Sequence, residues 1–125
     1  LLFHIHKRRV KKRGDGVKMA EVVLETPTNF GIILGASPTN RILDFLIENE
    51  RESWALTEIH EQAKVSYPSV KLIIPKLLEK NIIKIEKEVG RIKFYRINLN
   101  NPITKKLKEL QIIINKQEIE SIINQ

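Results

Sequence analysis

The chain has 125 residues, 42% hydrophobic and 30% charged, with a net charge of +7. That length supports one domain with an appendage and a core of its own. No apolar run approaches the roughly 20 residues that a bilayer-spanning helix needs, which excludes such a span, and the absence of cysteine excludes disulfides, thiolate metal sites and cysteine nucleophiles while fitting a cytoplasmic protein.

Residues 1–36 form a basic arm and connector. "LLFHIHKRRV" and "VKMAEVVLE" alternate in part and flank the turn signal "KKRGDG", which predicts a β-hairpin. Residues 1–18 hold seven Lys/Arg against one Asp. Within them "KRRVKKR" makes Arg8, Arg9, Lys11, Lys12 and Arg13 candidates for a DNA-contacting arm; a charged hairpin and a disordered tail are the alternatives. The chain does not begin with Met, and Met19-Ala20 has the form of a start, yet residues 1–18 are expected to be genuine sequence. His4 and His6, with His60, are too few for a metal site without carboxylate or thiolate support, so no metal and no cofactor are expected. "TPTNFGIILGASP" reads as a connector with a short strand at Phe30–Leu34.

Residues 37–100 carry the clearest pattern. Ser37 and Pro38 suit the cap and first position of a helix over about 38–50, with Ile42, Leu43, Leu46 and Ile47 on one face and Phe45 beside them. Glu48, Glu50 and Glu52 close it as a solvated acidic face. Trp54–Leu56 is a brief strand, and Thr57 is the expected cap of a second helix, "EIHEQAK", with Ile59 and Ala63 inward and His60 on its surface. Val65 anchors a tight turn. Ser66 caps a third helix whose apolar ladder is Val70, Ile74 and Leu77. Pro75 lies about two turns into this helix, where an interior proline costs roughly 3 kcal/mol. It falls on the outward face, where water can satisfy the freed carbonyl of Lys71; a helix that stops near Ile73 is the alternative. Two period-two segments, about 82–87 and 92–99, bracket "EVGR", with Gly90 supplying the turn. Ile83, Ile85, Phe94 and Ile97 are their expected buried members. Residues 37–62 hold six acids against two Arg, while residues 63–97 hold nine Lys/Arg against three Glu. Segregation of this kind creates a field that attracts a polyanion.

Residues 101–125 form one long amphipathic helix, opened by Asn101 and Pro102. Its Ile103, Leu107, Leu110 and Ile114 follow a 4-3-4 spacing, and the helix has more apolar surface than a terminal helix usually leaves exposed.

Together, "ALTEIHEQAKVSYPSVKLIIPKLLEKNIIKIE" and "VGRIKFYRINL" give residues 37–99 a resemblance to winged helix-turn-helix regulators of the MarR and ArsR type. The matching features are the Ser that opens the third helix, the ladder four, eight and eleven positions after it, the polar break at Asn81, and the Gly90-Arg91 wing tip before Phe94-Tyr95. The resemblance implies an α+β fold of three helices and a β-hairpin wing. It also implies a homodimer that binds double-stranded DNA, with Ile103, Leu107, Leu110 and Ile114 of the last helix as the candidate dimerisation face. By position, Ser66, Tyr67 and Ser69 would lie near phosphate or base edges. Lys71, Leu72 and Lys76 would face the groove, and Arg91 and Lys93 would lie on the wing. Lys and Arg supply affinity by neutralising phosphate. Base discrimination usually uses Arg, Asn or Gln, and the outward face of this helix has none; Lys71 and Lys76 have polar reach and Leu72 can touch a thymine methyl. No nucleophile elbow, phosphate-cradling Gly loop or catalytic carboxylate pair is present, so an enzyme is not expected. The outward Tyr67, Leu72 and Pro75 support one alternative, a winged-helix protein–protein assembly module without sequence-specific DNA binding.

Overall fold

The computed structural model describes residues 28–124. The predicted N-terminal hairpin, the basic run at 7–13, His4 and His6 lie outside these described residues. The elements in order are α1 (Asn29–Leu34), α2 (Pro38–Glu48), α3 (Leu56–Ala63), α4 (Tyr67–Glu79), β1 (Ile83–Val89), β2 (Ile92–Ile97) and α5 (Pro102–Ile123).

The first element corrects the reading of Phe30–Leu34 as a strand: it is a short helix. A five-residue apolar run has no period that separates strand from helix. The Thr28 hydroxyl decides it by accepting the Gly31 N–H at 3.1 Å while donating to Asp44 Oδ2 at 2.6 Å. Phe30 is buried, and α1 ends at Gly35 with φ +93°, a conformation glycine adopts without strain. The Asn40 amide then donates to the carbonyls of Leu34 and Gly35, closing the turn into α2.

Ser37 caps α2 through the Asn40 N–H, with Pro38 in the first turn, as expected from sequence. Ile42, Phe45, Leu46 and Ile47 are fully buried and form the centre of the core. The predicted strand at Trp54–Leu56 shrinks to a single bridge, in which Trp54 and Tyr95 exchange two backbone hydrogen bonds of 2.8 Å. Leu56 already belongs to α3. Thr57 is therefore not the cap: the N-cap is Ala55, whose N–H is taken by the Glu58 carboxylate at 2.9 Å. Ile59 and Ala63 point inward, and Lys64 turns the chain through a left-handed conformation (φ +60°) so that Val65 is buried at the head of α4.

In α4 the ladder of Val70, Ile74 and Leu77 is buried, and the helix runs unbroken past Pro75, which is exposed. Asn81 then reverses the chain at φ +60°, and its carbonyl accepts the amides of Asn98 and Asn101 at 2.9 and 3.2 Å. Strands β1 and β2 pair antiparallel around Gly90 (φ +63°). The register shifts between Ile85 and Lys87, a β-bulge that re-aims the strand. Ile83 and Ile97 are buried as predicted, whereas Ile85 is 40% exposed and Phe94, three positions from Ile97 and so on the opposite face of β2, is half-buried. Tyr95 takes the buried place, because its backbone is committed to the Trp54 bridge.

Asn101 caps α5 by accepting the Ile103 N–H at 2.7 Å. The line that meets the body runs through Thr104, Leu107 and Gln111, roughly a quarter turn from the line Ile103–Leu110–Ile114 at the α-helical repeat. Ile103 is exposed, while Leu110 and Ile114 are half-buried. The Gln111 amide donates to Asp44 Oδ1 at 2.9 Å. One buried carboxylate thus joins α1, α2 and α5. Replacing Asp44 by Ala removes both acceptors from Thr28 and Gln111. The expected loss is about 1–3 kcal/mol, read as a lower urea midpoint at unchanged slope.

Candidate nucleic-acid interface

The three-residue link between α3 and α4 presents the start of α4 to solvent. Ser66 Oγ accepts the Ser69 N–H at 3.3 Å and lies 2.9 Å from Ser69 Oγ, so both hydroxyls serve the cap. Pro68, in the first turn, has no N–H to offer. Of the first three helical positions only Tyr67 keeps a free N–H, which reduces this helix start to a narrow anion site. Ser66→Ala should cost about 1 kcal/mol of stability, measured as a fall in thermal midpoint.

Beside the cap, Tyr67 is half-buried with its ring edge-on to His60, centroids 6.0 Å apart. His60 is not a plain surface residue: Nδ1 sits 2.6 Å from the Val65 carbonyl, a hydrogen bond that requires the proton on that nitrogen. Lys71 Nζ lies 5.7 Å from the Tyr67 ring centroid, a cation–π contact that draws the ammonium toward the helix start. Tyr67 therefore holds Lys71 in place, with its own hydroxyl unbonded among the described residues.

The face of α4 opposite the ladder is open. Lys71, Leu72, Pro75 and Lys76 are exposed, Leu72 at 67%. Pro68 is exposed as well and continues the same stripe. The sequence reading missed it, although its spacing of four to Leu72 and three more to Pro75 was visible.

On the wing, Arg91 and Lys93 are exposed. Arg91 stands beside Gly90 at the tip, while Lys93 is opposite Glu88 in the ladder, which offsets its charge. Arg96 belongs to the scaffold: Nε donates to the Glu50 carbonyl at 2.7 Å and Nη1 lies 3.4 Å from Glu86 Oε2. Glu50 in turn has Lys108 Nζ 2.7 Å from Oε1. Of the three acids read as a solvated face, Glu50 is instead an anchor for the wing and α5, while Glu48 and Glu52 are exposed. Lys87 Nζ sits 4.9 Å from the Phe94 ring centroid, a second cation fixed on an aromatic. The candidate set on the arm, Arg8 to Arg13, lies outside the described residues.

No protein-family model matches the sequence, and no curated protein does. Among solved structures the chain is similar to MepR, a transcription regulator of the Staphylococcus aureus multidrug efflux pump MepA. The TM-score is 0.54 at 16% identity, covering 70% of this chain and 63% of that one. The chain therefore spans less than two thirds of MepR's length. MepR is a MarR-family winged-helix protein, and the likeness shows that this chain has the winged-helix fold expected from residues 37–99.

Proposed function

We propose that the chain is a double-stranded DNA-binding transcription regulator, acting in the cytoplasm as a homodimer, with α4 in the major groove and the wing on the backbone. The observation that supports this most is the open face of α4, with Lys71 and Lys76 on it and Arg91 at the wing tip, in a segment that carries nine Lys/Arg against three Glu. Such a surface attracts phosphate by charge alone, and the winged-helix neighbour is itself a transcription regulator. Among the described residues no helix is long and apolar enough to cross a membrane. The test is titration of the whole chain onto duplex DNA at several salt concentrations; binding that is absent, or indifferent to salt, would overturn the reading.

The homodimer rests on α5. Ile103, Ile112 and Ile113 are more than half exposed, and Leu110 and Ile114 are half-buried beside them. Leu107 is packed against the protomer's own core, so its part in a dimer is the smaller one. Ile113→Glu places a charge on this surface. It is expected to shift the protein to monomer in sedimentation velocity at micromolar concentration.

A second reading has its own observation. Leu72 at 67% exposure with Pro75 beside it is an apolar patch of the kind that protein–protein surfaces use. In that reading the chain is an assembly module, and charge reversal at Lys76 would leave its function intact.

A further inference from the structure

We infer that α4 recognises the C5-methyl groups of pyrimidines, thymine above all, through the stripe Pro68, Leu72 and Pro75. The inference rests on the DNA-binding reading and adds the feature of the groove that is read.

The three residues are four and three positions apart, which aligns them on one side of the helix, and that side is turned away from the buried ladder of Val70, Ile74 and Leu77. All three are exposed. The other exposed residues of α4 are Lys71, Lys76 and Glu79; none is Arg, Asn or Gln. Lys71 is drawn 5.7 Å from the Tyr67 ring, toward the helix start. The centre of the presented face therefore has no side-chain hydrogen-bonding group, and the two prolines lack N–H groups as well.

The major groove offers donors and acceptors on every base pair and one apolar group, the thymine methyl. A Leu flanked by prolines can gain only from that methyl. Against guanine it would leave N7 and O6 desolvated without a donor, which disfavours G·C at the contacted steps. Lys71 and Lys76 border the stripe and match the charge of a phosphate backbone, which makes duplex DNA the fitting occupant rather than a protein face. Removing a single contacted methyl should weaken binding roughly fourfold, the value of one buried carbon group. A symmetric pair of half-sites would lose about 15-fold.

The experiment uses the full chain and a duplex obtained by random-sequence selection, compared with the same duplex carrying uracil in place of thymine, at one salt concentration. The expected result is weaker binding to the uracil duplex by about fourfold per contacted methyl. With Leu72→Ala, the difference between the thymine and uracil duplexes should shrink by about fourfold for each methyl that Leu72 contacts. This side chain is 67% exposed, so its truncation leaves the core untouched. Equal affinity of the unmodified chain for both duplexes overturns the inference, as does a thymine preference that is undiminished in Leu72→Ala. Salt-sensitive binding without enrichment of any duplex also overturns the inference, whereas no salt-sensitive binding to any duplex sinks the DNA-binding reading itself.

Discussion

Phe45→Ala should lower the stability of the chain by roughly 3–5 kcal/mol, a large part of the 5–15 kcal/mol that domains of this size possess. Phe45 is fully buried in the core, and its ring packs tilted against Trp54 with centroids 5.1 Å apart. Truncation removes the ring and leaves a cavity between α2 and the Trp54–Tyr95 bridge, which a rigid three-helix core cannot collapse around fully. Trp54 is the single tryptophan of the chain and is itself buried, so its fluorescence reports the loss directly in a urea titration. The control is Leu72→Ala, which should change stability by less than about 0.5 kcal/mol because the side chain is exposed. A Phe45→Ala midpoint equal to that of the control would mean that the core is organised differently from the arrangement described.

The second large effect concerns binding. Lys76→Ala with Arg91→Ala removes two cations from each protomer and four from a dimer. If each neutralises one phosphate, the slope of log affinity against log salt should become shallower by about 3.6, at about 0.9 per phosphate. At about 1 kcal/mol for each contact, affinity should fall by a hundred- to a thousandfold. Lys93→Ala is the informative comparison: Glu88 faces Lys93 across the ladder, so its removal should matter less. Fluorescence anisotropy between roughly 50 and 200 mM salt covers the range in which such slopes are measured. A slope that stays the same in the double variant would remove α4 and the wing tip from the interface.

The winged-helix segment was legible because its signals are local. Ser37, Ser66 and Asn101 are each capping residues within three positions of the N–H they satisfy, and Gly90 meets the positive φ of the hairpin turn. The errors arose where the deciding partner is distant in sequence or has no side-chain signature. The α1 helix depends on Thr28, which also bonds to Asp44 sixteen residues away. The α3 cap is an alanine whose N–H is satisfied by Glu58, so nothing in "WALTE" marks Ala55 in preference to Thr57. In β2, by contrast, alternation itself gives the answer: Phe94 lies three positions from Ile97 and so on the opposite face, and period two from Ile97 selects Tyr95. In α5 nothing near Gln111 marks it for burial: it is buried against Asp44, 67 positions earlier. The exposure of the charged candidates Lys71, Lys76, Arg91 and Lys93 was legible in the helix and hairpin register. The exposed Pro68 was not singled out, since proline in a first turn reads first as a helix starter.

The carboxylate of Asp44 has a geometric consequence for any pair built through α5. Helix α2 packs against α3 and α4 with its isoleucine and phenylalanine face, and it holds α5 by this carboxylate. In the proposed dimer the distance between the two α4 helices is then set where α5 meets the body, at Asp44, Leu107 and the Lys108–Glu50 pair of each protomer. Duplex DNA repeats its major groove every 34 Å or so, and a pair must match that period to engage two half-sites at once. A change in the angle of α5 at this contact would detune the proposed pair from the groove period while leaving each α4 face unchanged.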